Sequence, residues 1–138
     1  MKKSLTNHMV VIVAFMLILS FMAIAYAGSY SSSINIKSYV TTSQNIVPSS
    51  SGRISVYVDA DVHVSKDSDA LSSLPQTLTI RLYDEYTGRY VDSKTYGPDT
   101  SFNVSDYFYG LSTAHTYEVR FENNTGTAYI HGPVGLSW

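Results

Sequence analysis

The sequence predicts an all-β fold: an antiparallel β-sandwich of about seven strands, fibronectin type III or immunoglobulin-like in class, preceded by an N-terminal signal-peptide helix. Three observations carry this. Residues 53–64 alternate between apolar and polar types without a break, turn-forming clusters recur roughly every ten to fifteen residues, and no helical period is visible after residue 27.

The first element is the leader. Met1, Lys2 and Lys3 precede an apolar run from Met9 to Ala25, and Ala25, Tyr26 and Ala27 close it with small side chains at the two positions a signal peptidase grips. Cleavage after Ala27 is expected, leaving one domain over 28–138 that is secreted or extracellular. An uncleaved anchor is the alternative, because a run of this length lies at the lower edge of the roughly 20 residues that span a bilayer.

Ile34, Ile36 and Tyr39 or Val40 then make a first strand, and Pro48, Ser49, Ser50, Ser51 and Gly52 a loop. Over residues 53–64, Ile54, Val56, Val58, Ala60, Val62 and Val64 alternate with Ser55, Tyr57, Asp59, Asp61 and His63. That is the period of a strand with one dry and one wet face, and it is expected near the centre of a sheet. After a polar stretch to Pro75, residues 76–83 turn Leu78, Ile80 and Leu82 inward and Thr77, Thr79, Arg81 and Tyr83 outward. Asp84 to Gly88 form a turn into a weaker strand, 89–96, whose inward parity the residues leave open. Gly97, Pro98 and Asp99 break the chain. Phe102 and Val104 mark a short strand, and Tyr117, Val119 and Phe121 a firm one. Asn123, Asn124, Thr125 and Gly126 read as a hairpin turn into residues 127–130.

Residues 111–121 read Leu-Ser-Thr-Ala-His-Thr-Tyr-Glu-Val-Arg-Phe, which resembles the entry to the sixth strand of fibronectin type III domains. There a leucine precedes a tyrosine by six residues and the tyrosine hydroxyl ties the corner to upstream backbone. Leu111 and Tyr117 keep that spacing. Thr113 stands where the family has proline, and residues 53–64 lack its tryptophan. The resemblance implies sandwich architecture and little about activity, since the fold hosts many unrelated binding roles.

Composition narrows the function classes. Two of the nine basic residues, Lys2 and Lys3, lie in the leader, so from Gly28 onward eleven acidic residues face seven basic ones. A formal charge near minus four argues against a nucleic-acid footprint or a polybasic membrane patch, leaving membrane contact to the signal peptide. With no cysteine, stability outside the cytoplasm must come from packing. About 110 residues can bury one core.

Several side-chain groups are candidate sites. Arg81 and Tyr83 on one strand and Glu118 and Arg120 on another would share an outer face, which outward Tyr129 could join; arginine and tyrosine suit contact with a protein or a glycan. Tyr83, Tyr86, Tyr90, Tyr96, Tyr107 and Tyr109 cluster in the hairpin and the segment after it, and exposed members could stack on sugar rings. Val134, Leu136 and Trp138, in a tail ending on the only tryptophan, either close the edge of their own domain or add as a strand to a second copy and build a homo-oligomer. Asp59, Asp61 and His63 stand about 6.6 Å apart along one strand face, a weak cation pattern against the simpler reading of a solvated face. No metal or other cofactor is expected.

The catalytic motifs with a known mechanical basis are absent: no Gly-x-Ser-x-Gly elbow, His-Glu-x-x-His, Ser-x-x-Lys or phosphate-cradling glycine loop occurs. His115 lies in the corner segment, where a structural role is expected. Asn103 and Asn123 head N-glycosylation patterns. The expectation is a secreted, non-enzymatic module acting by surface contact, in adhesion, an extracellular matrix or a surface assembly. Its partner would be a protein or glycan at the cell surface. A stand-alone carbohydrate-binding module is the alternative, and a small secreted hydrolase or metal-dependent enzyme the third.

Overall fold

The computed structural model describes residues 28–42 and 45–138, and the expected signal peptide, 1–27, lies outside them. Among the described residues eight strands form, one more than expected: β1 Ser29–Ile36, β2 Tyr39–Thr41, β3 Ile54–His63, β4 Gln76–Asp84, β5 Arg89–Asp99, β6 Ser101–Phe108, β7 Tyr117–Asn123 and β8 Tyr129–Ser137. They make two antiparallel four-stranded sheets, ordered β1-β8-β3-β6 and β2-β7-β4-β5.

The extra strand comes from the segment read as one. Ile34 and Ile36 end β1 in the first sheet, and after Lys37 and Ser38 the chain crosses to the second sheet as β2. The crossing is held where the Asn123 backbone N–H donates to the Ser38 carbonyl at 2.6 Å. Sequence alternation cannot register such a crossing, because inward residues on both sides of it are apolar.

In this order β1 pairs with β8, β2 with β7, β3 with β6 and β4 with β5, while β3–β8 and β4–β7 complete the sheets. A chain folded once into a long hairpin and then rolled has this pairing, which is the arrangement of an eight-stranded jelly roll. Immunoglobulin-type sandwiches place the last two strands side by side in one sheet; here β7 and β8 lie in opposite sheets. The fibronectin-like resemblance is therefore confined to its corner. The Tyr117 hydroxyl accepts a hydrogen bond from the Ser112 backbone N–H at 3.0 Å, and Leu111 N–H bonds the Gly52 carbonyl at 3.0 Å. Gly52 sits at φ +59°, and an added Cβ would meet the Leu111 carbonyl at 2.7 Å, so the corner requires a glycine there.

The expected hairpin over 123–126 is likewise a corner between sheets. The backbone groups that a hairpin ladder would pair are taken up by two buried amides. Gln76 Oε1 accepts from the Thr127 and Ala128 N–H groups and from Asn123 Nδ2, each at 3.2 Å. Asn123 Oδ1 accepts from the Thr125 and Gly126 N–H groups, and its Nδ2 donates to the Ala128 carbonyl. Buried polar groups persist only with such partners.

The core is the dry face of each alternating strand: Ile54, Val56, Val58, Ala60 and Val62 of β3 meet Leu78, Ile80 and Leu82 of β4 and Val119 and Phe121 of β7, all buried. Full burial of one such side chain is worth about 1.5–3 kcal/mol, which suits a domain without disulfides. β5 shows why its parity was open. Its residues opposite Leu78, Ile80 and Leu82 are Tyr96, Lys94 and Asp92, two of them charged. Asp92 is exposed, whereas Lys94 is half-buried and turns toward Asp106 and Phe108 of the other sheet; a charge turned inward on an edge strand guards against edge-to-edge pairing.

Candidate binding surface

The outer face of the β2-β7-β4-β5 sheet is built by register. Arg81 stands directly opposite Arg120, and Tyr83 opposite Glu118, as the pairing of β4 with β7 dictates. Two like charges face to face would repel; Glu122, the next outward residue of β7, resolves this. Its two carboxylate oxygens reach Arg81 Nε at 3.1 Å and Arg120 Nε at 2.8 Å, at angles too oblique for full hydrogen bonds. The Arg120 guanidinium lies 3.6 Å from the centre of the Tyr39 ring, and its Nη1 donates to the Tyr90 hydroxyl at 3.1 Å. Arg81 lies over the Tyr90 ring at 5.3 Å, and Tyr83 meets the same ring edge-on at 5.3 Å.

Tyr90 reaches this face through a bulge. Leu82 pairs with Asp92 but Tyr83 pairs with Tyr90, so one residue of β5, Val91, is left over and Tyr90 turns outward. Beside it, Arg81, Tyr90, Val91, Asp92 and Ser93 line a shallow depression of about 440 Å³. Burial and the nearby Glu85 carboxylate push Glu118 above the usual glutamate range. The result is two guanidinium groups and three tyrosines held in place with one carboxylate between the cations.

No protein-family model matches this chain, and no curated protein matches it. Its own geometry carries the functional argument.

The structure brings Arg81, Tyr83, Glu118 and Arg120 together and leaves Tyr129 out. Tyr129 lies on β8 in the other sheet, opposite His63 and beneath Lys37. Glu122, Tyr39 and Tyr90 complete the surface. Glu122 was within reach of the sequence, because extending the alternation of Glu118 and Arg120 by two residues arrives at it; Tyr39 and Tyr90 needed the strand order and the bulge.

The six clustered tyrosines disperse. Tyr83 and Tyr90 share the face just described, Tyr86 stacks on His115 at 4.4 Å, Tyr96 turns inward, Tyr107 stands on β6 of the opposite sheet, and Tyr109 follows that strand. Asp59, Asp61 and His63 do line one outer face, but among the described residues no group of three or more potential ligands converges as a metal site. His63 Nδ1 is bound to the Ser68 carbonyl at 2.8 Å, and its ring lies 5.0 Å from that of His131. His115 Nδ1 meets Asp84 Oδ2 at 2.9 Å. That is how a carboxylate orients a catalytic imidazole, yet among the described residues no hydroxyl is bonded to its other nitrogen, and the pair closes the turn after β4.

Val134 and Leu136 are buried in their own domain, and β8 is hydrogen-bonded along both edges, to β1 and to β3. A strand paired on both sides has no ladder to offer a second copy. Trp138 exchanges backbone hydrogen bonds with Gly28 at 2.9 and 3.0 Å, and its indole lies where a Gly28 side chain would be. Of the two glycosylation patterns, Asn103 is exposed on β6, whereas Asn123 is buried with both ends of its amide engaged.

Proposed function

We propose that this chain is an exported, non-enzymatic module acting by surface contact, in adhesion, an extracellular matrix or a surface assembly, and that the outer face of the β2-β7-β4-β5 sheet is its contact surface. The carrying observation is the Glu122 bridge: it fixes two opposed arginines, with Tyr39 and Tyr90 as backing, so that little side-chain freedom is lost when a partner arrives. Arginine and tyrosine are the types that dominate binding energy at contact surfaces, and here they stand on a rigid sheet instead of a loop. Export rests on the leader.

The test is retention of the protein on the envelope or matrix of the cells that make it, compared with a variant carrying Arg81→Gln, Tyr83→Ala and Arg120→Gln. The expected result is loss of retention with the melting temperature held within a few degrees. Equal retention of both proteins would refute the assignment of this face.

A further inference from the structure

The opposite sheet carries a second, differently built surface. An open groove of about 380 Å³ runs over β8, β3 and β6, lined by Arg53, Ser55, Tyr57, Ser105, Tyr107 and Ser137. Register explains its shape. Ser55 lies between Ser137 and Tyr107, and in the next outward row Tyr57 lies between Gly135 and Ser105. On the far side of β8, Ser31 and Ser29 continue the same two rows. Small residues thus form the floor, and the Tyr57 and Tyr107 rings stand along one side.

The floor depends on Gly135. A glycine inside a doubly paired strand weakens it and usually marks a close approach of backbone or ligand. Neither backbone nor packing requires this one. It is not among the glycines in the left-handed region, and an added Cβ would meet only ordinary contacts, the Tyr30 carbonyl at 3.7 Å and Tyr57 side-chain carbons at 3.9 Å. The open space above it is what the missing side chain leaves. By contrast, Gly132 on the same strand is forced, because a Cβ there would clash with the Asp59 and Ala60 backbone.

The groove is electrically polar. Arg53 lies with its guanidinium 4.7 Å from the centre of the Tyr107 ring, and among the described residues no carboxylate pairs with it. Of the outward acids of β3, Asp59 follows Tyr57 and acts on its hydroxyl, about 20 Å from Arg53 along the strand, and Asp61 lies farther still. From these features we infer that the groove binds a glycan containing a uronic acid, with a sugar ring lying over Gly135 against Tyr57 and its carboxylate on Arg53. Each part of the ligand then has a counterpart: an apolar ring face for the tyrosine, hydroxyls for Ser55, Ser105 and Ser137, and an anion for a guanidinium that lacks one. The site uses none of the residues of the β2-β7-β4-β5 face, so the two assignments fail separately.

The test is an amide chemical-shift titration of the protein with an oligogalacturonate and with its methyl ester. The acidic oligosaccharide is expected to shift Tyr57, Tyr107, Gly135 and Ser137, and the ester to bind at least about tenfold more weakly, as should the acid to Arg53→Met, since one charge-assisted hydrogen bond is lost in each. Gly135→Val should remove binding by filling the floor, and Arg120→Gln on the opposite sheet should leave it unchanged. Arg53 is exposed, so its variant tests the site even if Gly135→Val folds poorly. No shift with the acid, equal affinity for acid and ester, or binding undiminished in Arg53→Met would overturn the inference. So would shifts of the same residues on dilution without sugar, which would make a second copy the occupant.

Discussion

The Tyr96 hydroxyl donates a 2.7 Å hydrogen bond to Asp106 Oδ2, joining β5 of one sheet to β6 of the other. Lys94 reaches the same carboxylate at 3.1 Å and lies 5.7 Å from the centre of the Phe108 ring. Together the three side chains close the side of the sandwich where the chain passes from one sheet to the other. Tyr96→Phe should therefore cost about 1 kcal/mol, the net worth of one hydrogen bond to a charged group that is still partly wet. Urea denaturation at neutral pH measures it, and an unchanged midpoint would mean the bond does not hold the sheets.

Stability should fall in acid, with a definite sign. The hydrogen bond from Tyr96, then that from the Tyr107 N–H and the nearby Lys94, hold Asp106 below the usual aspartate range despite some burial. Burial would raise Asp84, but bonds from His115 and from the Thr87 and Tyr86 N–H groups outweigh it and hold it low as well. A carboxylate depressed on folding stabilises above its unfolded value, about pH 4, and that contribution is lost as pH falls through the folded value. Melting temperatures measured downward from pH 6 should drop below about pH 4, and Asp106→Asn should flatten the drop. Parallel curves for the two proteins would contradict this.

Glu118 behaves in the opposite sense. Because burial and Glu85 raise it, its ionised form is disfavoured by folding. Glu118→Gln should therefore melt higher than the parent at pH 7, with the difference vanishing as pH falls below the ordinary glutamate range. A variant that melts lower at neutral pH would show that the carboxylate is instead held by a favourable contact.

Gln76 is buried and serves six hydrogen-bonding groups around the β7–β8 corner and its own strand start. Gln76→Met keeps the length but strands the Thr127 and Ala128 N–H groups, so a loss of about 3 kcal/mol is expected. Chemical denaturation reads this directly, and a loss below 1 kcal/mol would mean that the corner rearranges to find other partners.

Removing residues 133–138 takes half of a strand paired on both sides, including buried Val134 and Leu136. The truncated protein should lose its cooperative thermal transition, whatever its state of assembly. Trp138→Ala should keep the transition at a lower temperature, since the indole packs against the core only at its margin. A truncated protein that melts like the parent would show that β8 is dispensable.

The fold class was legible in the sequence because alternation in β3, β4 and β7 is a local property, written residue by residue and preserved as burial in the structure. The tyrosine corner was legible for the same reason, since Leu111, Ser112 and Tyr117 are near neighbours along the chain. Arg81, Tyr83, Glu118 and Arg120 could be placed on outward faces by parity alone, and Glu122 by one more step of it.

Sheet membership was decided only in three dimensions. Whether the turn at Asn123 folds back into a hairpin or crosses to the other sheet depends on Gln76, 47 residues away, supplying the acceptor that the backbone lacks. Tyr129 and the tyrosine group were misgrouped because two outward residues share a surface only if their strands share a sheet. Gly135 reads in the sequence as one more glycine in a tail; its empty space acquires meaning only when β8 lies between β1 and β3 with Tyr57 beside it. Local alternation fixes which way a side chain faces, whereas pairing between distant strands fixes what it faces with.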